Sequence, residues 1–80
     1  MNKNYALQDM VLRIKELTQR TGLARSTIYD KLKASSKQYD ATFPKPVRLG
    51  ASSVGWLSSE VDQWIAARAQ ARNATTQEAA

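Results

Sequence analysis

The spacing of apolar residues changes several times along the chain, and each change predicts an element. VLRI, Val11–Ile14, is a β-branched and leucine run whose alternation puts Leu12 and Ile14 on one face, as in a short strand. KELTQRTG then offers Leu17 as the inward residue of a short helix, with Gly22 as its terminator, because glycine takes positive φ without a Cβ clash. Leu23 is a plug in the following turn. Ile28 and Leu32 lie four apart and define the core face of a second helix from Arg25 to about Ser35. Ala24 precedes that helix where Ser, Thr, Asp or Asn would cap it, so the cap is either missing or supplied by Ser26 one residue late.

SSKQYDATFPKP breaks the periodicity and reads as a loop, with Pro44 and Pro46 each holding the preceding residue extended and Phe43 tucked inward. VRLG and VGWL flank Ala51-Ser52-Ser53, giving a hairpin with Gly50 at its turn and with Val47 and Leu49 opposite Arg48. The last helix starts at Ser58 or Ser59. Glu60 and Asp62 complement its positive end, and Val61, Trp64 and Ile65 form its apolar stripe. The stripe fades near Arg72. The predicted organisation is a flexible arm over 1–10, one folded domain over 11–72 and a disordered tail over 73–80.

Strand, helix, turn, helix, hairpin and helix together predict a small α+β, mainly α, winged helix-turn-helix. Composition narrows the chemistry. Eighty residues support one modest core, and neither cysteine nor histidine is present to staple it, hold zinc or act as a general base. Glu60 and Asp62 are the closest acid pair, and the helix dipole accounts for them. No nucleophile–base pair, phosphate loop or metal cluster is legible, so the expectation is a protein that is not an enzyme and carries no cofactor. No apolar h-region opens the chain and no run reaches membrane-spanning length, which predicts a cytoplasmic protein without membrane contact.

Charge then points to a partner. The net charge is +5. From Arg13 to Arg48 nine basic residues face only Glu16, Asp30 and Asp40, whereas Arg68 and Arg72 face Glu60, Asp62 and Glu78 from residue 49 onward. A basic half fits a polyanion. With Ile28 and Leu32 inward, Ser26, Asp30, Lys33 and Lys37 point outward and Thr27 and Tyr29 flank them. A B-DNA major groove admits one such helix. The predicted contacts with double-stranded DNA are Arg25, Ser26, Thr27, Tyr29, Lys31 and Lys33 on the recognition helix. Lys45, Arg48, Ser52 and Ser53 are expected on the wing and its flanks. Asp30 sits oddly in such a face: it either accepts from a cytosine amino group or pairs with a neighbouring cation. Trp56 and Trp64, set among Val and Ile, are read as core rather than as stacking platforms.

From Leu12 to Arg68 the chain resembles the AlpA-type prophage regulatory proteins, small MerR-like winged-helix proteins related to phage excisionases. The resemblance rests on Gly22-Leu23, then RSTIY at Arg25–Tyr29, FPKPVRLG at Phe43–Gly50, Gly55-Trp56 and VDQW at Val61–Trp64, in that order. It implies a transcription regulator of a mobile element, with the recognition motif on Arg25 to Tyr29 and the wing on Val47 to Trp56. Family members usually carry Ser where this chain has Ala24, and this chain has extra residues around Ser36 to Ala41. The alternatives are an excisionase that bends DNA at attachment sites and a protein-interaction module that inhibits a regulator; a monomer that self-associates on adjacent DNA sites is expected.

Overall fold

The computed structural model describes the backbone of residues 9–79 and the side chains of residues 9–72. Three short strands and three helices alternate as β1 (Val11–Leu12), α1 (Ile14–Thr21), α2 (Arg25–Leu32), β2 (Val47–Arg48), β3 (Val54–Leu57) and α3 (Ser58–Ala79). The strands form an antiparallel sheet in the order β1-β3-β2. Val11 faces Leu57 and Leu12 faces Trp56 on one side of β3, while Val47 faces Gly55 and Arg48 faces Val54 on the other. The winged helix-turn-helix expected from the sequence is the architecture found.

The core follows from those registers. Leu12 and Trp56 share the inner face of the sheet and meet Leu17, Ile28, Phe43 and Val61 in one cluster. Ile14, Leu23, Leu32, Trp64 and Ile65 pack around its edge. Trp56, 1 % exposed, satisfies its indole N–H at the carbonyl of Pro44, 3.2 Å away. This bond gives the FPKP segment a physical role. Phe43 and Pro44 are both buried, and the bond binds the loop before the hairpin to the central strand. Trp64 is a rim residue rather than a fully buried one. It is half-buried, with its ring edge-on to Phe43 at 5.0 Å and 79°.

Gly55 in β3 is required by a close approach. A Cβ there would lie 2.4 Å from Val11 Cγ1 and 3.2 Å from both the Leu12 carbonyl oxygen and Leu49 Cδ1. Gly22 ends α1 with φ of 75°, its N–H donating to the Thr18 carbonyl at 2.8 Å.

Three boundaries differ from the sequence reading. The first strand stops at Leu12, because Arg13 already serves as the N-cap of α1: its N–H donates to Glu16 Oε1 at 2.8 Å, and its carbonyl accepts from Leu17. Helix α2 ends at Leu32, short of Ser35. Lys33 is extended there, and the Lys31 carbonyl accepts from Asp40, whose loop folds back on the helix. Lys37 therefore lies on a turn and not on the outward face of α2. Helix α3 continues past Arg72 to Ala79, through a segment whose alanines favour helix even without an apolar stripe. Its start, at Ser58, is as expected, and the N-terminal segment ties it down. Asp9 accepts from the Ser59 N–H at 2.9 Å and from the hydroxyls of Ser58 and Ser59, while Ser58 and Met10 exchange two further bonds. The last two residues of the expected arm are thus tied to α3, and the rest of that arm, residues 1–8, lies outside the described residues.

Candidate nucleic-acid interface

The turn between α1 and α2 is built from three residues. The Thr21 hydroxyl donates to the Leu17 carbonyl and accepts from the Leu23 N–H at 3.2 Å, Gly22 reverses the chain, and Leu23 packs against the core. Ile28 is fully buried beneath α2 and fixes which side of that helix faces water. Arg25, Ser26, Tyr29, Asp30 and Lys33 are exposed together, with Tyr29 showing 48 % of its surface, and Thr27 is half-buried at the flank. The outward stripe expected from 100° per residue is therefore present over the length of α2.

Ala24 is the N-cap residue of α2, in extended geometry and with no side-chain cap; of the two possibilities for this helix start, the missing cap is the one found. Ser26 is not engaged in capping. The pairing expected for Asp30 does not form. Arg20 pairs with Asp62, and among the described residues no cation lies in bridging range of Asp30. The reason is the direction of its neighbours: Lys33 lies past the last turn, and Lys31 turns the other way. Lys31 Nζ lies 5.7 Å from the centre of the Trp64 ring, near the carboxylate of Asp40. Lys31 thus faces the α3 side of the molecule.

Asp40 is the site residue that the sequence did not single out. Its carboxylate accepts from the Thr42 N–H and hydroxyl and from the Trp64 indole N–H at 3.2 Å. The Thr42 hydroxyl bond, followed by the Thr42 N–H, Trp64 and the charge of Lys31, outweighs burial and lowers its pKa from 3.8. Its backbone also accepts from Phe43 and donates to Lys31. One residue of the 36–41 segment thus connects α2, through its backbone, with the loop before the hairpin and α3, through its side chain. The only hint in the sequence was an acid at the end of an insertion.

The wing is compact. The Ser53 carbonyl accepts from the Leu49 and Gly50 N–H groups, and Arg48 Nη1 donates to the Ala51 carbonyl at 3.2 Å. Lys45, Arg48 and Ser52 are exposed and Ser53 is half-buried. Val47 and Leu49, at 39 % and 45 % exposure, are open as well, so the wing carries apolar as well as basic surface. Among the described residues no three His, Cys, Asp or Glu side chains gather in a metal-binding group, and no helix is long and apolar enough to cross a membrane.

Residues 10–69, three quarters of the chain, match the family described as prophage CP4-57 regulatory protein (AlpA). The chain belongs to the AlpA family. A curated relative from Escherichia coli K12, named DNA-binding transcriptional activator AlpA, is 48 % identical over 68 residues, which cover 85 % of this chain and 94 % of the relative. The uncharacterized protein ORF88 of Enterobacteria phage P4 is 40 % identical over 65 residues, covering 81 % of this chain and 67 % of that protein. No solved structure matches the chain. The family match spans all the elements described above except the end of α3, so the exposed face of α2 and the wing lie within the matched range.

Proposed function

We propose that this family member is a sequence-specific, double-stranded-DNA-binding transcriptional regulator of a prophage or related element, acting in the cytoplasm without enzymatic activity. In this reading α2 lies in the major groove and the wing follows the backbone or minor groove. The observation that carries it is the face of α2. Arg25, Ser26, Tyr29 and Lys33 project together from a helix whose opposite side is anchored by buried Ile28. A guanidinium and a hydroxyl in the first turn have the donors and acceptors that base edges require, and Lys33, Lys45 and Arg48 suit phosphates. Unpaired Asp30 is then available to accept from a cytosine amino group, a contact that selects sequence as well as tolerating the groove. The naming of the Escherichia coli relative as a DNA-binding activator supports the same reading.

The test separates base reading from backbone contact. DNA fragments selected from genomic fragments by the full chain define a site. Arg25→Ala and Ser26→Ala are then measured on that site and on random duplex. The expected loss is about 1–3 kcal/mol on the site and much less on random DNA. Equal losses on both would assign these side chains to the backbone alone.

A further inference from the structure

A cleft lies between the loop before the hairpin and the side of α3, apart from the outward face of α2. Its volume is about 550 Å³. Phe43, Pro44, Val47, Trp64 and Ala67 make its apolar wall, and Lys45 and Arg68 supply cations at its edge, with Glu60 the one acid. A second hollow of about 370 Å³ shares Phe43 and Lys45 with it and extends to Lys31, Tyr39 and Asp40. Lys31 and Arg68 both lie over the Trp64 ring, at 5.7 and 5.5 Å from its centre. Asp40 is committed to Thr42 and Trp64, so its charge is already engaged.

We infer that this cleft is a docking site for an acidic peptide segment of a partner protein, carrying an apolar or aromatic residue that enters between Phe43, Val47 and Trp64. Three observations choose this occupant. The cations outnumber the free acid around the cleft, so an acidic ligand is complementary to it. The wall is concave and apolar, whereas a DNA backbone presents charged phosphates and no apolar side chain to fill it. The lining takes nothing from the outward face of α2; of the expected DNA contacts it shares Lys45 and, through the second hollow, Lys31, which is turned toward Trp64. The inference therefore goes beyond DNA binding: it gives the DNA-bound protein a second surface for a protein partner.

The molecule contains its own reporters. Its two indole N–H groups sit in different places, Trp64 at the cleft and bonded to Asp40, Trp56 buried and bonded to Pro44. The full chain, labelled with nitrogen-15, is titrated with a short capped peptide rich in glutamate and carrying a central phenylalanine. The expected result is a saturable shift of the Trp64 indole signal with the Trp56 signal still. Replacing the phenylalanine by glycine weakens the peptide. Arg68→Glu weakens it about tenfold or more, as does Ala67→Tyr, which fills the cleft from an exposed helix position; Arg25→Ala and Lys33→Ala leave it unchanged. An unmoved Trp56 signal in each variant shows that the fold is intact. Shifts confined to α2 and lost in Lys33→Ala would overturn the inference, as would no shift at all. So would a Trp64 signal that moves when the protein alone is concentrated, which assigns the cleft to a second copy. Displacement of the peptide from Trp64 by random duplex DNA would assign it to nucleic acid instead.

Discussion

Gly55 shows how one position can decide the sheet. The space its missing side chain leaves is already taken by Val11 Cγ1 and the Leu12 carbonyl. Gly55→Ala is therefore expected to destabilise the domain by about 1–3 kcal/mol through overpacking. Adding Val11→Ala should recover part of that loss and not all, because the Leu12 backbone remains; chemical denaturation of the three variants checks both steps. Asp9 and Asp40 act through charge. Both carboxyls are held below their usual 3.8, Asp9 first of all by the Ser59 N–H and Asp40 first of all by the Thr42 hydroxyl. The folded chain therefore resists protonation in a range where the unfolded chain takes up protons. Their stabilisation is complete above pH 3.8 and is lost as pH falls through the lowered folded values. A urea midpoint that is flat near neutrality should fall below about pH 4, and Asp9→Ala with Asp40→Ala should flatten that fall. The sequence offered neither residue as important. Their partners lie far along the chain, at Ser59 and Trp64, and only folding brings them together.

At the scale of elements, what was legible depended on whether the signal was local. Leu17 and Gly22 fixed α1 and its end, and Ile28 with Leu32 fixed the buried side of α2, because periodicity and positive φ are properties of a few adjacent residues. The end of α2 was not legible. Lys33, Ala34 and Ser35 are acceptable in a helix, and what stops it is the returning chain at Asp40, which bonds to the Lys31 carbonyl. The hold of Asp9 on the start of α3 was not legible for the same reason, since it comes from the opposite end of the domain. The start of α2 remains the weakest point of the helix pair. Ala24 occupies the N-cap in a geometry, φ −69° and ψ 154°, that a serine also adopts. Ala24→Ser should therefore add about 0.5–2 kcal/mol of stability by accepting from an unsatisfied N–H of the first turn. If Ser26 reads DNA, this variant should melt higher yet bind its site with unchanged preference over random duplex, because the new cap leaves the outward face intact.

For the whole molecule, the two parts of the basic half differ in what they are free to do. Arg20 is paired with Asp62 across α1 and α3, and Lys31 is turned to Trp64 and Asp40, so both are drawn toward the protein. Lys33 and Lys45 are exposed, and Arg48 is exposed with one of its nitrogens on the Ala51 carbonyl. The bonds from Trp56 to Pro44 and from Asp40 to Trp64 and Thr42 join loop, hairpin and helices into one body, which holds α2 and the wing at a fixed separation. A rigid pair of contacts neutralises a definite set of phosphates, and each neutralised phosphate contributes about −0.9 to the slope of log affinity against log salt. Lys33→Ala and Arg48→Ala should therefore each make the slope shallower by roughly that amount, additively in the double variant. Lys31→Ala should leave it nearly unchanged, since that cation is directed at Trp64. Affinities measured across a series of salt concentrations on a selected site decide the matter: a slope that drops with Lys31→Ala and not with Lys33→Ala would place the duplex on the α3 side of α2, against the face assigned to it here.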